Sequence, residues 1–280
     1  MISRPDPDPA PVSPPVTSAD IARHFGAHAR EYAVSRFHAE GLTRVMLLER
    51  LEPVMDETLL DLASGPGHTA LAFAPYVRHV IACDLSPAML HAASLGERRA
   101  AAADEPMAAF DLVAADAHDL PFLDRALDLV TVRAAAHHFT DLDRVLAEIR
   151  RVLRRGGRLG IADPTVPDDD AALAESIRAL ESLHDPTTVR VRSPAEWRAS
   201  LEAAGLRVDF VEPAAWELAE GRSLVEWIAR AGGSSTVVAE ARRMLLALPA
   251  PMQRSLRVRA SGDDVTFDLP RVVMTAKRID

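Results

Sequence analysis

Between residues 58 and 162, short apolar runs alternate with stretches whose apolar residues recur at helical spacing. The runs are Thr58 to Leu62, His79 to Cys83, Asp111 to Ala114, Leu127 to Val132 and Gly157 to Ala162. They lack polar alternation, as strands do when both faces of a parallel sheet are covered. Thr69 to Ala74, Pro87 to Arg99 and Leu142 to Leu153 read as the intervening helices, and Gly156-Gly157 as the stop before the fifth strand. This β-α-β-α order predicts an α/β protein whose mostly parallel sheet is doubly wound with right-handed crossovers.

The flanks follow other patterns. Residues 1–18 are dominated by proline, aspartate and serine, bury little, and are expected to be a disordered tail. Ile21, Phe25 and Tyr32, then Leu42, Val45, Met46, Leu48 and Leu51, predict two helices separated near Gly41. Beyond Asp163 the pattern is mostly helical: Ala171 to His184, Pro194 to Ala204, Ser223 to Ala231 and Ser235 to Leu248. Only Leu206 to Val211 and Pro270 to Ala276 read as further strands, which brings the expected sheet to seven. Ser193-Pro194-Ala195-Glu196 carries the serine cap, early proline and acidic first turn of a helix start. Trp197, at helical spacing with Leu201, reads as core. Residues 19–280 are expected to form one domain: N-terminal helices over 19–55, a sheet core over 56–165, and a helical cap with the last strands over 166–280.

Composition narrows the function. The 280 residues are 48% hydrophobic and 26% charged, enough for a sizeable core, and the net charge of −9 argues against nucleic acid as the partner. No apolar stretch approaches the roughly 18 residues of a membrane span, and the N-terminus lacks a signal-peptide pattern. Cys83 is the only cysteine and lies inside an apolar run, where it reads as a small buried hydrophobe. The expected protein is soluble, reduced and cytoplasmic.

The candidate chemistry sits at the ends of the expected strands. Leu59-Leu60-Asp61-Leu62-Ala63-Ser64-Gly65-Pro66-Gly67-His68 runs from a strand through a small-residue turn into a helix. Such a turn lets backbone approach a ligand and aims helix N–H groups at it. Asp84 ends the next strand about 20 residues later, where a carboxylate can accept from both hydroxyls of a ribose, or cap Ser86-Pro87, or do both. Asp116 follows the third strand, on the carboxyl edge where ligands of open α/β sheets bind. A nicotinamide fingerprint needs a third small residue in G-x-G-x-x-G; Ala63-Ser64-Gly65-Pro66-Gly67-His68-Thr69-Ala70 matches it less well.

D-L-A-S-G-P-G-H, V-I-A-C-D-L-S-P-A-M-L and A-A-D-A-H-D-L-P-F together resemble class I S-adenosylmethionine-dependent methyltransferases of the ubiquinone/menaquinone-biosynthesis type (methyltransferase type 11). R-V-L-R-R-G-G-R-L, R-A-A-A-H-H-F, H-D-P-T-T-V-R and A-E-W-R-A-S-L-E-A-A-G-L extend the resemblance over residues 25–204. It implies a Rossmann-like sheet with helical lid elements from both ends of the chain. It also implies that S-adenosylmethionine is the cofactor and S-adenosylhomocysteine the product. Asp61, Ala63, Gly65 and Gly67 would serve the methionine end, and Asp84 the ribose. Leu85 and Met89 would pack near the adenine, with Asp116 and Ala117 at its edge. Ala63 stands where many relatives have glycine, and Pro66 where threonine or serine is frequent.

The resemblance places Arg133-Ala134-Ala135-Ala136-His137-His138-Phe139 beside the sulfonium. His137 and His138 are candidate bases, with the alternative that one supports the turn while the other packs. Arg133 is a candidate for the cofactor carboxylate or for pairing with an acid on the lid. Tyr32 and Ser35 are lid candidates over the methyl group, with His28 and His38 in reach and an ordinary core role open for Tyr32. His184-Asp185-Pro186 and Arg190 line an acceptor pocket or cap a helix. No compact ligand spacing suggests a metal. The implied reaction is in-line methyl transfer to a small-molecule acceptor at oxygen, nitrogen or carbon, in quinone or natural-product biosynthesis. The alternative is a non-methylating use of the same cofactor by a cyclase or decarboxylase. A homodimer is compatible with this sequence.

Overall fold

The structure, a computed structural model, describes residues 15–102, 108–214 and 222–280. Most of the expected N-terminal tail therefore lies outside the described residues. The chain opens with α1 (Ser18–Ala27), α2 (Ala29–Ala33), α3 (Arg36–Glu40) and α4 (Leu42–Leu51). The expected pair of helices is thus a run of four. Gly41 does separate α3 from α4, but the backbone also leaves helical geometry at His28 (φ −113°, ψ 14°) and Ser35 (φ −72°, ψ 110°). His28 Nδ1 lies 2.8 Å from the His24 carbonyl oxygen, taking up an acceptor that the end of α1 would otherwise leave free. Thr17 starts α1 with a reciprocal capping box to Asp20.

The middle of the chain alternates as its apolar pattern predicts. The order is β1 (Thr58–Leu62), α5 (His68–Phe73), β2 (His79–Asp84), α6 (Pro87–Ala102), β3 (Ala109–Ala114), β4 (Leu127–Arg133), α7 (Leu142–Val152) and β5 (Leu153–Pro164). Then follow α8 (Ala171–His184), α9 (Pro194–Ala203), β6 (Leu206–Ala214), β7 (Arg222–Ser223), α10 (Leu224–Arg230), α11 (Ser235–Ala247), α12 (Ala250–Ser255), β8 (Arg259–Ser261), β9 (Asp264–Phe267) and β10 (Arg271–Arg278). Seven strands form one sheet in the order β3-β2-β1-β4-β5-β10-β6, with β10 antiparallel to both neighbours. From β1 the chain winds outward to β2 and β3, then returns to β4 on the other side. That reversal opens a crevice at the carboxyl ends of β1 and β4.

Alternate side chains of the sheet feed two cores. Leu60, Leu62, Val130, Val132, Leu159 and Ile161 join α7 and α9, whereas Leu59, Leu129 and Val273 join α4 and α5. On α7 the buried residues Leu142, Val145, Leu146, Ile149 and Val152 make a single stripe at spacings of three and four. Each such burial contributes about 1.5–3 kcal/mol. Asp141 caps the helix by accepting from the Arg144 N–H at 3.1 Å.

Gly156-Gly157 does not stop α7 as expected. The helix ends at Val152, Leu153 is already extended and pairs with Leu127, and the glycines lie within β5. Gly156 adopts φ +80°, and a Cβ on Gly157 would lie 2.9 Å from the Arg154 carbonyl oxygen, so the pair bends a strand rather than ending a helix. Farther along β5, a Cβ at Gly160 would meet Leu51 at 2.7 Å, which lets α4 pack tightly on the sheet.

The cap differs more from expectation. It has its own core, with Ile177, Trp227, Leu245 and Phe267 fully buried. It also contains an unexpected antiparallel sheet in the order β7-β9-β8. These strands are too short to show a period, but Ser261 pairs with Asp264 across Gly262-Asp263, with Gly262 at φ +58°. Among the described residues no helix is long and apolar enough to cross a membrane.

Candidate functional site

The carboxyl ends of β1, β2 and β4 open into a front chamber of about 930 Å³, roofed by Ser18, Ile21 and Phe25 of α1. Its floor is the turn after β1, where Ala63 (φ 53°) and Gly65 (φ 53°) both take left-handed backbone. Glycine does so freely; alanine does so at a cost of about 1–2 kcal/mol, strain of the kind concentrated at ligand-facing turns. Asp84 closes one side. Its Oδ2 accepts from the Gly65 N–H and its Oδ1 from the Ser86 N–H, each at 2.8 Å. Burial pushes the Asp84 pKa up despite those two bonds. Capping and cleft-facing roles therefore coexist in one carboxylate.

Leu85, Met89, Asp116, Ala117 and Arg133 complete the front wall. Asp116 accepts from the His118 N–H at 3.0 Å and pairs with its ring at 2.5 Å. Partial burial raises the Asp116 pKa, but these bonds outweigh it and hold the group below its ordinary value. Ser18, at the start of α1, lines the chamber beside Asp116. Arg133 donates to the His38 carbonyl oxygen at 2.9 Å and to Thr43 Oγ1 at 3.2 Å, bracing α3 and α4 while still lining the chamber.

Two residues expected at the cofactor lie behind this wall. Asp61 is buried, with Oδ1 accepting from the Thr131 hydroxyl at 2.8 Å and Oδ2 from the Ala70 N–H at 2.9 Å. It ties β1 to β4 and α5, and burial raises its pKa to about 7. Gly67 takes φ +81°, and a Cβ there would approach Ala93 Cβ at 3.1 Å, so glycine lets α5 and α6 approach closely. Neither residue lines the front chamber.

A rear chamber of about 390 Å³ adjoins the first. Phe25, Tyr32, His38, Ala134 and His138 line both and form the partition. His137 lies only on the rear side. Its Nδ1 is 2.9 Å from Asp163 Oδ1 on β5, which fixes Nδ1 as the protonated nitrogen and leaves Nε2 as a proton acceptor. Burial depresses the His137 pKa, but the charge and hydrogen bond of Asp163 more than reverse that and hold it above the ordinary value. His138 behaves oppositely: Nδ1 contacts the Thr187 carbonyl oxygen at 3.1 Å, and burial with neighbouring His137 lowers its pKa to about 4.

The lid completes the partition. Tyr32 packs edge-on against Phe25 and near His38, at centroid distances of 5.4 and 5.2 Å. Burial drives its phenol pKa above the ordinary range, and the charge of Arg230 on the cap opposes that rise. Ser35 supports His38 through a 3.0 Å contact rather than lining either chamber. His28 also lines neither, whereas His24 reaches Asp185 at 3.5 Å and so ties α1 to the end of α8. His184 and Asp185 line the rear chamber and also end α8. Arg190 instead pairs with Glu196 at 2.5 Å, and Trp197 is fully buried in the core. Sequence reasoning missed Asp163, Glu181, Trp227, Arg230 and Arg271; nothing local distinguishes them, because they meet only across the fold.

Residues 60–161 match the family model described as a methyltransferase domain. An uncharacterized methyltransferase of Bacillus subtilis, YcgJ, is 33% identical over 208 residues, covering 74% of this chain and 78% of the relative. The chain belongs to the class I S-adenosylmethionine-dependent methyltransferases. The crystal structure of YcgJ superposes with a TM-score of 0.72 at 27% identity, over 85% of this chain and 98% of that one. A demethylmenaquinone methyltransferase of Clavibacter sepedonicus is 38% identical over 126 residues, 45% of this chain and 49% of the relative. The chain thus spans about half the length of that quinone-modifying relative.

The front chamber suits the family's cofactor by its own features. It combines a left-handed backbone cradle, two cleft-facing carboxylates for a ribose and an amine, and Met89 beneath the β1 turn. Its carboxylates also favour a ligand carrying positive charge.

Proposed function

We propose that this chain transfers a methyl group from S-adenosylmethionine in the front chamber to a small molecule in the rear one. The shared partition carries this reading: ligands on either side meet across Phe25, Tyr32 and His138. The cofactor supplies a methyl group already activated by the sulfonium charge, so the chain mainly orients the reactants and excludes water. Asp84 holds the ribose, Leu85 and Met89 flank the adenine, and Asp116 with Ala117 meets its edge. Ala63 and Gly65 receive the methionine end with Arg133 near its carboxylate, while Asp61 and Gly67 keep the turn in place from behind.

His137 takes the acceptor's proton at Nε2, with Asp163 fixing its tautomer. His138, whose pKa is lowered to about 4, stays neutral at the partition and so adds no positive charge beside the sulfonium. Tyr32 closes the lid over the transfer point.

Calorimetric titration with S-adenosylmethionine and S-adenosylhomocysteine tests the cofactor half, with micromolar binding of both expected. Absence of binding by either ligand overturns the reading. Appearance of S-adenosylhomocysteine during turnover separates methyl transfer from a non-methylating reaction.

A further inference from the structure

The rear chamber holds more hydrogen-bonding capacity than His137 and the partition require. Glu181, on α8, is 3% exposed, and its Oε1 has no hydrogen-bond partner among the described residues. His184, one turn later, is also buried, and its Nδ1 has no hydrogen-bond partner among the described residues. Both side chains line the same chamber as His137. An unsatisfied buried polar atom costs about 1–3 kcal/mol, so two in one cavity indicate a ligand that satisfies them.

The chamber's shape and remaining lining define that ligand. The chamber is small, about 390 Å³ with its opening included, so the ligand that fits it is compact. One wall is flat and aromatic: His184 stacks on Trp227 at 4.0 Å between centroids and 19° between planes. Arg271 also lines it and is 6% exposed. A long apolar tail would leave Glu181 Oε1 unsatisfied, which disfavours a prenyl chain in this space.

The base narrows the reacting atom. A neutral amine attacks with its own lone pair and loses a proton afterwards, whereas a hydroxyl becomes a strong nucleophile only by giving its proton up. The His137–Asp163 pair serves the second case.

Resting on the methyl-transfer reading above, we infer that the acceptor is a compact ring bearing at least two hydroxyls, one methylated beside His137 and another bound by Glu181 and His184. The reacting O–H bond breaks and its proton passes to His137 Nε2. The oxygen lone pair forms the new C–O bond to the methyl carbon, and the electron pair of the broken C–S bond stays on sulfur. The products are a methyl ether and S-adenosylhomocysteine. Glu181 and His184 are specificity residues in this scheme: they set the ring so that the other hydroxyl faces the base.

The test is a binding measurement on full-length protein saturated with S-adenosylhomocysteine. Benzene-1,2-diol and cyclohexane-1,2-diol are titrated beside 1,2-dimethoxybenzene, with calorimetry or ligand-observed NMR as the readout. Both diols are expected to bind at least 10-fold more tightly than the diether. Glu181→Gln should erase most of that preference, and His184→Phe should reduce it several-fold. Unchanged S-adenosylhomocysteine affinity in each variant shows that the fold and front chamber persist. Equal affinity for diol and diether, or diol binding that Glu181→Gln leaves intact, overturns the proposal. So does absence of diol binding to protein that still binds S-adenosylhomocysteine, and in that case the methyl-transfer reading stands. Loss of S-adenosylhomocysteine binding by the wild-type protein removes both.

Discussion

The two chambers are built by different means. The front one is made by strand ends and turns that are close in sequence. Ala63 and Gly65 lie one residue apart, and Asp84 reaches back to the Gly65 N–H. Its specificity resides in backbone geometry and two carboxylates. The rear one is assembled from side chains on the lid helices, α8, α10, β10, the end of β5 and the loop after β4, with its walls set by a separate cap core. A surface made mostly of backbone tolerates change in distant parts of the chain. One made of side chains from several elements can be re-cut by small changes in the cap. The difference fits a division in which the sheet sets the first chamber and the cap sets the second.

The adjacent histidines show the contrast at the boundary. His137 and His138 have ring centroids 3.9 Å apart, yet Asp163 raises the pKa of one while burial lowers the other to about 4. Changing His137 should break the comparison most sharply. His137→Gln is expected to reduce turnover about 10²–10⁴-fold, with cofactor affinity unchanged because the side chain does not reach the front chamber. Single-turnover methyl transfer measured beside calorimetry checks this, and parallel loss of both would place His137 in the front site.

Asp163→Asn should act next most strongly and alter the pH profile. The working base is neutral His137, so the rate should rise with pH through its pKa, held by Asp163 above the ordinary value of 6.5. Replacing Asp163 removes the two largest causes that raise this pKa and leaves only the charge of Glu181. The rising limb should then move to lower pH while the plateau falls, because Nδ1 loses the partner that fixes the tautomer. A ¹⁵N-histidine titration of His137 reads the same shift without turnover, and an unmoved titration would deny Asp163 its role.

Asp84→Ala probes the other chamber. Losing hydrogen bonds to a charged acceptor costs about 1.5–3 kcal/mol each, so S-adenosylhomocysteine affinity should fall at least 10-fold. The Gly65 and Ser86 N–H groups also lose their partner, so thermal stability should drop while the fold is retained. Unchanged affinity would sink the ribose assignment. Gly67→Ala should have the smallest catalytic effect. With φ at +81° and Ala93 Cβ 3.1 Å away, it should cost about 1–2 kcal/mol in a denaturation midpoint. Cofactor affinity should change only a few-fold, since Gly67 supports the turn from behind.

The apolar runs predicted all seven strands of the main sheet; burial on both faces leaves a continuous hydrophobic signature in central strands such as β1 and β4, whereas the edge strand β3 is largely exposed. The stripe on α7 and the cap at Ser193 act over three or four residues, and such short-range effects are written in local order; the cap at Thr17 lies in the stretch expected to be disordered. Ala63, Gly65, Asp84 and Asp116 were legible for the same reason: each sits at a strand end fixed by its own neighbours.

What the sequence alone determined is therefore a Rossmann-like methyltransferase sheet and the face on which its first ligand sits. Tertiary structure alone decided that Gly156-Gly157 bends a strand, that Asp61 lies behind the wall, and that β7, β8 and β9 form a second sheet. It also gave His137 and His138 different ring partners, Asp163 and Thr187, which lie 26 and 49 residues farther along the chain. Contacts at such separations follow from how the elements pack, and no local pattern of residues encodes them.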